Sequence, residues 1–365
     1  MEDKELSVVS LFSGIGGFEE GLKLAGIPST IAFASEIDAF AQKSYAANFD
    51  ISNLHGDIKA VKEQDVPDHQ LLLAGFPCQS FSIAGKQRGF ADIRGTLFFD
   101  VARILDAKKP PFVLLENVKN LISHDNSNTI RTILRTLNYI GYTVDFTIIN
   151  SNESGVPQNR DRTYICGIYK GEASKFDKDS RSLKVDRLKQ ELNSTDFKGF
   201  NFFNNVSFNA PNKSIEDILE DTVRDNFFFL SEKVESYLKE ENIQDVPNRE
   251  NRILKLFDLP REVHNDMERQ RRVYSVKGIS PTVLARADST KILVRRGEGF
   301  GIRKVTPAEN FFIQGFTKQF VDNIVASGMS ATQMYKQSGN AVSPPVIAGI
   351  LRYLYEEYII KNEVH

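Results

Sequence analysis

Short apolar runs alternate with helical patterns over the first 170 residues. The apolar runs, typical of buried strands, lie at 6–12, 30–35, 70–75, 111–115, 142–149 and 163–168. Helical patterns follow a Gly-rich turn through about residue 25 and recur at 39–48, 96–107 and 129–139. This alternation predicts a mostly parallel α/β sheet with helices on both faces. Ligands of such sheets bind beyond the carboxyl ends of the strands.

The alternation ends near residue 171. Residues 171–260 are rich in Lys, Asp, Asn and Phe and contain aromatic runs at 200–208 and 227–229, which we interpret as the core of a second domain. The helical pattern at 342–358 is apolar on one face, so it is expected to return to the first domain. We therefore predict one domain of residues 1–180 completed by 335–365, and another of residues 181–334.

Composition excludes several classes of protein. Of 365 residues, 41% are hydrophobic and 26% are charged, which are ordinary globular values and exclude a disordered chain, a collagen-like repeat and a coiled coil. No stretch approaches the roughly 18 apolar residues of a membrane span, and the first residues lack the apolar core of a signal peptide. We expect a cytoplasmic protein without membrane contacts.

The number and spacing of cysteines and histidines, together with the charge distribution, limit the kinds of site the protein can contain. The two cysteines and five scattered histidines form no disulfide framework or Cys-x-x-Cys pair, so we expect no metal and no His-centred triad. The net charge is −2, yet residues 261–304 contain eleven Lys or Arg and five Asp or Glu, a local net charge of +6. This basic segment is a candidate phosphate-facing surface, and a solvated charged face is the alternative.

A glycine-rich turn and two acids suggest a nucleoside site. The turn at 12–17 joins the first strand to its helix, where glycines let a ligand approach main-chain N–H groups. Glu36 follows the second strand, as an acid that binds ribose hydroxyls does, and Asp57 follows a third strand. A tight turn with two helix-capping acids is the alternative.

A thiol, an acid and a guanidinium follow later strands. Cys78 lies in a turn made rigid by Pro77, Glu116 ends the next strand, and Arg162 begins the last. Cys166, within an apolar run, is assigned to the core. A thiol without a partner histidine suits attack on an electron-poor ring, such as carbon 6 of a pyrimidine, more than peptide hydrolysis. An idle surface thiol is the alternative.

In this order and spacing the chain resembles bacterial 5-cytosine-specific DNA methyltransferases, the kind paired with restriction endonucleases. The resemblance covers nearly all of the first domain. It is carried by FSGIGG at 12–17, GDI at 56–58, GFPCQSFS at 75–82, GTLFFD at 95–100, ENV at 116–118, QNRDR at 158–162 and QSGNAVSPPV at 337–346.

The resemblance implies a Rossmann-like S-adenosylmethionine-dependent methyltransferase fold, with a smaller irregular target-recognition domain. The cofactor would be S-adenosyl-L-methionine and its product S-adenosyl-L-homocysteine. Cys78 would add to carbon 6 of a flipped-out cytosine, Glu116 would hold and protonate nitrogen 3, and Arg162 would contact the 2-oxo group. The other implied catalytic-site residues are Asn117, Arg160, Pro77 and Gln79. The implied cofactor contacts are Phe12, Ser13, Gly14, Ile15, Gly16, Gly17, Glu36, Ile37, Asp57, Ile58, Phe76, Leu97, Asn340, Ala341 and Val342.

The partner implied by the resemblance is double-stranded DNA. A loop at 80–95 is expected to close over it, and two recognition loops are expected near 264–272 and 282–289. The candidate DNA-binding residues are Lys86, Arg88, Arg269, Gln270, Arg271, Arg272, Thr282, Arg286 and Asp288. The resemblance also suggests a monomer, used at the nucleoid and functionally linked to a cognate restriction endonuclease.

Three alternatives remain at this point. A tRNA cytosine 5-methyltransferase shares the Pro-Cys-Gln and Glu-Asn-Val motifs, but the basic segment favours duplex DNA. A nicotinamide-dependent dehydrogenase would use the glycine turn and leave Cys78, Glu116 and Arg162 unexplained. A catalytically inactive DNA-binding relative is disfavoured because every expected catalytic residue is present.

Overall fold

The computed structural model describes residues 5–77, 96–241, 243–286 and 289–361, without the side chain of Arg269. Within these ranges the strands are β1 (Leu6–Leu11), β2 (Ser29–Ser35), β3 (Leu54–His55), β4 (Leu71–Gly75), β5 (Phe112–Val118), β6 (Tyr142–Asn150), β7 (Gln158–Asn159), β8 (Asp161–Tyr169), β9 (Lys255–Asp258), β10 (Arg272–Ser275), β11 (Ser280–Pro281), β12 (Lys291–Arg296) and β13 (Gly299–Lys304).

The α-helices of the same ranges are α1 (Gly17–Ala25), α2 (Ala39–Ala46), α3 (Leu97–Lys108), α4 (Asn128–Ile140), α5 (Leu183–Leu192), α6 (Glu232–Glu240), α7 (Glu268–Arg271), α8 (Pro307–Gln314), α9 (Lys318–Ala326), α10 (Ala331–Asn340) and α11 (Pro344–Leu354). A π-helical turn, Tyr355–Ile360, continues α11. Of the helices described, none combines the length and apolarity that crossing a membrane requires.

The chain divides into two compact units. Unit 1 comprises Met1–Asn150, Asp161–Ser207 and Val346–His365, and unit 2 comprises Ser151–Arg160 and Phe208–Pro345. These limits differ from the predicted ones at 180 and 335. Residues 181–207 belong to unit 1, and residues 151–160 and 335–345 belong to unit 2.

Unit 1 contains a seven-stranded sheet in the order β3-β2-β1-β4-β5-β8-β6. Neighbours from β3 to β5 pair in parallel, whereas β8 runs antiparallel to both β5 and β6. This is the predicted mostly parallel α/β sheet with one reversed strand. The reversal brings the start of β8 to the edge where β5 ends.

Apolar side chains cover both faces of this sheet. Val9 and Leu72 on one face pack in a cluster with residues of α3 and α4. Leu71 and Leu73 alternate to the other face and are fully buried as well. On that face Phe18 of α1 lies 3.4 Å from the position of a Cβ at Gly75. Helices therefore bury both sides, as parallel strands require.

A buried charged cluster joins residues 171–207 to β6. Lys189 of α5 lies 2.8 Å from Asp145 Oδ1 and 3.1 Å from Asp179 Oδ2, and the three side chains are at most 1% exposed. Asp145 Oδ2 also accepts the backbone N–H groups of Phe202 and Phe203 at 2.9 and 2.8 Å. Residues 200–207 of the first aromatic run thus belong to unit 1 rather than to the predicted second domain, and a buried carboxylate of β6 holds their backbone.

Unit 2 contains a four-stranded sheet, β13-β12-β10-β9, and a two-stranded pairing of β11 with β7. Its apolar clusters include Ile292 with Val305 and Ile313, and Val273 with Leu293. Phe229, from the second aromatic run, packs against the second of these clusters. This unit therefore has a core of its own.

Glu19, three residues after Gly16, is buried in unit 1. It belongs to the first turn of α1 and is 3% exposed. Tyr45 of α2 donates a hydrogen bond to its Oε1 at 3.3 Å. Burial raises the pKa of Glu19 from 4.5 to about 7, because the charged form loses its hydration.

The buried cluster predicts a large effect at Lys189. Lys189→Met leaves Asp145 and Asp179 buried without their cation, so we expect the free energy of unfolding to fall by about 3–5 kcal/mol. Urea denaturation of the full chain measures this change. Lys184→Met, at an exposed position of the same helix, is the matched control. Equal denaturation midpoints for the two variants would contradict the stabilising role of the cluster.

Glu19 predicts a pH-dependent stability. The folded state keeps a proton that the unfolded chain releases above about pH 4.5, so the contribution of Glu19 declines as pH rises from 4.5 to about 7. Glu19→Gln cannot ionise, and at pH 8 we expect it to be more stable than the wild type by up to about 3 kcal/mol. At pH 4.5 and below the two should be alike. Denaturation midpoints from pH 4 to 8 check this, and parallel pH profiles would refute it.

Candidate active site

The end of β5 meets the start of β8 at the edge where the parallel strands finish. Because the two strands are antiparallel, Val118 pairs with Arg162 and Glu116 with Tyr164. Arg162 Nε lies 3.1 Å from Glu116 Oε1, and the two side chains are 15% and 11% exposed. A carboxyl and a guanidinium are therefore held together where solvent is largely excluded.

The end of β4 lies directly beside this ion pair. Gly75 pairs with Glu116 in the parallel ladder. A Cβ at Gly75 would lie 3.6 Å from Glu116 Oε2. The Glu116 carboxylate therefore lies within van der Waals distance of the end of β4.

Asn117 fixes the chain that leads away from β4. Its Nδ2 donates to the carbonyl oxygen of Phe76 at 2.7 Å, and its Oδ1 accepts from the N–H of Val118 at 2.8 Å. Phe76 is 4% exposed, whereas Pro77 is exposed. Cys78 and Gln79 lie outside the described residues. The contacts of Asn117 thus hold the backbone two residues before Cys78.

Asp161 braces the start of β8. Lys119 forms an ion pair with its Oδ2 at 2.7 Å, and Asn150 donates to its Oδ1 at 2.9 Å. The Arg162 Nη1 group donates to the carbonyl oxygen of Asp161 at 2.8 Å. These bonds fix the backbone that carries Arg162.

Glu36 lies at the carboxyl end of β2 and is oriented by backbone donors. The N–H of Gly14 donates to Oε2 at 2.9 Å and the N–H of Asp38 donates to Oε1 at 2.7 Å. Each carboxylate oxygen keeps a second lone pair. The carboxylate can therefore accept hydroxyl groups of a ligand without giving up its fixed orientation.

The glycine turn adopts conformations that larger residues resist. Gly14 has φ +57°, and apart from Gly14 and its two chain neighbours no described residue has an atom within 4 Å of a Cβ built there. Gly16 has φ +91°, and a Cβ would meet the ring of Phe49 at 2.2 Å. Phe12 is left-handed as well, with φ +56°. Ser13 anchors the turn by donating to the carbonyl oxygen of Ser10 at 2.9 Å.

Exposed acidic and apolar side chains follow β2 and β3. Asp57 is exposed, and its Oδ1 accepts from the N–H of Lys59 at 3.0 Å. Ile37 and Phe40 are 70% and 52% exposed. Exposed carboxylates suit hydroxyl and amino groups, and exposed apolar side chains suit a base. The remaining candidates here, Ile15, Gly17, Ile58 and Leu97, are buried or half-buried. The residues present therefore fit the predicted cofactor.

Arg160 and the segment 340–342 belong to unit 2. Arg160 is 2% exposed, and its Nη2 donates to the carbonyl oxygens of Gly339 and Ala341 at 3.0 and 2.8 Å. Asn340 is exposed and Val342 is 7% exposed. Arg160 thus holds the backbone on both sides of Asn340.

The candidate DNA-binding residues differ in their surroundings. Arg271 donates to the carbonyl oxygen of Leu259 at 2.5 Å, and Arg272 bonds Glu268 at 2.9 Å. Gln270 is 9% exposed, the Thr282 hydroxyl donates to the carbonyl oxygen of Asn159, and Arg286 is exposed. Lys86, Arg88, Asp288 and the side chain of Arg269 lie outside the part of the chain that the structure describes.

Two buried glutamines were absent from the sequence-based candidates. Gln158 and Gln314 are both 0% exposed and are bonded to each other at 2.8 Å. Gln158 opens the QNRDR motif, which is a signal that sequence reasoning could have used. Gln314 ends α8 among apolar residues, and its polarity there is the corresponding signal.

Comparisons with known proteins identify the family. A model of the C-5 cytosine-specific DNA methylase family matches residues 6–356. The chain is 37% identical to the type II methyltransferase M.HaeII of Haemophilus aegyptius, covering 95% of this chain and 92% of that protein. It is 31% identical to the orphan methyltransferase M.SPRI of Bacillus phage SPR, covering 98% and 99%.

Solved structures agree on the fold. The S. pombe Dnmt2 methyltransferase superposes with a TM-score of 0.63 at 19% identity, covering 96% of this chain and 98% of that one. The predicted Rossmann-like methyltransferase fold is therefore confirmed. With the family model matching nearly the whole chain, the protein belongs to the C-5 cytosine-specific DNA methylase family.

Proposed function

We propose that this protein transfers a methyl group from S-adenosyl-L-methionine to carbon 5 of a cytosine in a short specific sequence of duplex DNA. The observation that carries the proposal is the ion pair between Glu116 and Arg162 beside the end of β4. In the sequence, Cys78 follows the last residue of β4 by three positions. The relatives named type II methyltransferases favour DNA over tRNA as the substrate, and family membership disfavours the dehydrogenase.

The chemistry begins with Cys78. Its thiolate adds to carbon 6 of the ring, and a proton from Glu116 at nitrogen 3 prevents build-up of an anion. Carbon 5 thereby becomes nucleophilic. After methylation, a base such as solvent water accepts the carbon 5 proton and the sulfur leaves as thiolate. Nitrogen 3 then returns its proton to Glu116, which restores the neutral aromatic ring. Reaching the ring requires the base to leave the duplex, at a cost of a few kcal/mol.

Arg162 can orient both the Glu116 carboxyl group and the cytosine. Its Nε group faces Glu116 Oε1 at 3.1 Å. A guanidinium presents five donors in a fixed planar arrangement. The remaining N–H groups can then bind the 2-oxo group of cytosine while Nε keeps the carboxyl in place. Asn117 supports this arrangement by holding the carbonyl of Phe76.

The cofactor would be held by the carboxyl ends of β1 to β3. Glu36 would accept the ribose hydroxyls, Asp57 would accept the adenine amino group, and Ile37 would cover the base. S-adenosylmethionine, when bound, supplies a methyl group on a positively charged sulfur, which makes that methyl electrophilic. On the basis of the family resemblance, we propose Asn340, Ala341 and Val342 as further cofactor contacts. The same resemblance implies S-adenosyl-L-homocysteine as the product.

The DNA partner would be bound through unit 2. Its basic segment at 261–304 has a net charge of +6, and exposed Arg286 is the described candidate for a base or phosphate contact. We propose a modification enzyme functionally linked to a restriction endonuclease, which the relatives named type II methyltransferases support, whereas M.SPRI is named an orphan methyltransferase. We propose a monomer, because a single chain holds every proposed catalytic group.

The role of Cys78 predicts a covalent trap. A duplex carrying 5-fluorocytosine at the methylated position cannot lose a proton from carbon 5, so the enzyme should remain attached to it through Cys78. Cys78→Ser should form no such adduct and should lose methyl transfer by at least about a thousandfold. Denaturing gels and peptide mass spectrometry detect the adduct, and Cys166→Ser is the matched control. A trapped Cys78→Ser variant would refute the assignment.

The role of Glu116 predicts a selective loss of turnover. Glu116→Gln keeps the size of the side chain but cannot deliver a proton, so we expect the turnover number to fall about 100-fold to 10,000-fold. Labelled methyl transfer to duplex DNA measures it. Glu191→Gln is the control, since Glu191 forms an exposed ion pair with Arg131 at 2.7 Å. Equal turnover in the two variants would exclude Glu116 as the acid.

A further inference from the structure

The two buried glutamines form a directed chain of hydrogen bonds across unit 2. The N–H of Val283 donates to Gln158 Oε1 at 3.0 Å. Gln158 Nε2 donates to Gln314 Oε1 at 2.8 Å, and Gln314 Nε2 donates to the carbonyl oxygen of Ser338 at 2.7 Å. Each amide thus accepts on one side and donates on the other. We name these three bonds the amide relay.

The amide relay joins two segments with different proposed roles. Val283 follows Thr282 in the second predicted recognition loop, and Ser338 lies two residues before Asn340. Both glutamines are 0% exposed, so neither can exchange its partner for water without opening the core. Breaking one bond leaves a buried amide unsatisfied, which is costly.

A second set of contacts joins the same two segments. Arg160 Nη2 donates to the carbonyl oxygens of Gly339 and Ala341. Its Nη1 donates to the carbonyl oxygen of Val283 at 3.5 Å. A Cβ at Gly339 would lie 2.3 Å from both Leu284 C and Ala285 N. The two backbones therefore touch, and neither segment can shift alone.

We propose that the amide relay couples the DNA-recognition segment at 282–286 to the cofactor segment at 340–342, with Gln314 as a positioning residue. This inference rests on the proposed function of the two segments. When DNA fixes the position of Val283, the relay holds Ser338 and the residues that follow it in the geometry that binds cofactor. By linkage, cofactor then strengthens the binding of specific DNA by the same factor.

The test measures this coupling without methyl transfer. Calorimetry gives the dissociation constant of S-adenosylhomocysteine without DNA, with a duplex enriched by binding from a randomised pool, and with a scrambled duplex. We expect the enriched duplex to strengthen binding by at least about fivefold in the wild type. In Gln314→Met the enriched duplex should change the dissociation constant of S-adenosylhomocysteine by less than about twofold. The dissociation constant measured without DNA should change little.

Matched variants separate positioning from stability. Gln337→Met makes the same substitution at a 6%-exposed glutamine of α10 and should keep the wild-type factor. Gln158→Met should lose the coupling as Gln314→Met does, and the double variant should lose no more, because both lie on one relay. If Gln314→Met does not fold, Gln314→Glu replaces it, since that change removes the donor to Ser338.

The possible results distinguish a failure of the relay from a failure of the proposed function. Coupling that survives in Gln314→Met, or that is lost equally in Gln337→Met, overturns the relay. Equal binding of S-adenosylhomocysteine with enriched and scrambled duplex in the wild type overturns it as well and leaves the methyl-transfer activity standing. A wild-type protein that selects no duplex at all contradicts the proposed function itself.

Discussion

The pairing of β8 with β5 is the constraint on which the candidate catalytic site depends. In a fully parallel sheet, the start of one strand and the end of its neighbour lie at opposite edges. The reversed direction of β8 instead places Arg162 beside Val118. Side chains alternate between faces, so a slip of one residue would turn Arg162 away from Glu116. The continuous ladder from Phe112 to Val118 therefore fixes the register that forms the ion pair.

The chemistry of this edge could be predicted from sequence because its signals are local. Glu36 and Glu116 follow or end apolar runs, and carboxyl ends of parallel strands share one edge. The direction of β8 was not predictable in this way, because it depends on which distant strands it joins. The limits of the two units also depend on distant contacts. Residues 200–207 of the first aromatic run belong to unit 1, where Asp145, far away in sequence, binds the backbone of Phe202 and Phe203.

The QNRDR motif shows which site residues can be predicted from the local sequence and which cannot. Gln158, Arg160 and Arg162 are spaced by two, as residues on one side of an extended chain are. Arg162 belongs to the sheet of unit 1, whereas Gln158 and Arg160 pack in the core of unit 2. The motif therefore serves two units at once. Sequence reasoning identified the charged members, and it missed the neutral glutamine because its partner, Gln314, is 156 residues away.

The Lys189 cluster of unit 1 and the amide relay of unit 2 bury polar groups by different means, and unit 2 also buries an ion pair between Arg303 and Glu309 at 2.7 Å. In unit 1 the ammonium of Lys189 lies between two carboxylates, and displacing it would leave buried charges uncompensated. Such a cluster is suited to holding α5 permanently against β6. The amide relay of unit 2 is neutral, and each of its bonds contributes only about 1 kcal/mol net. Because the relay is neutral and its bonds stay made when its two ends move together, it suits segments that must respond jointly to DNA and cofactor.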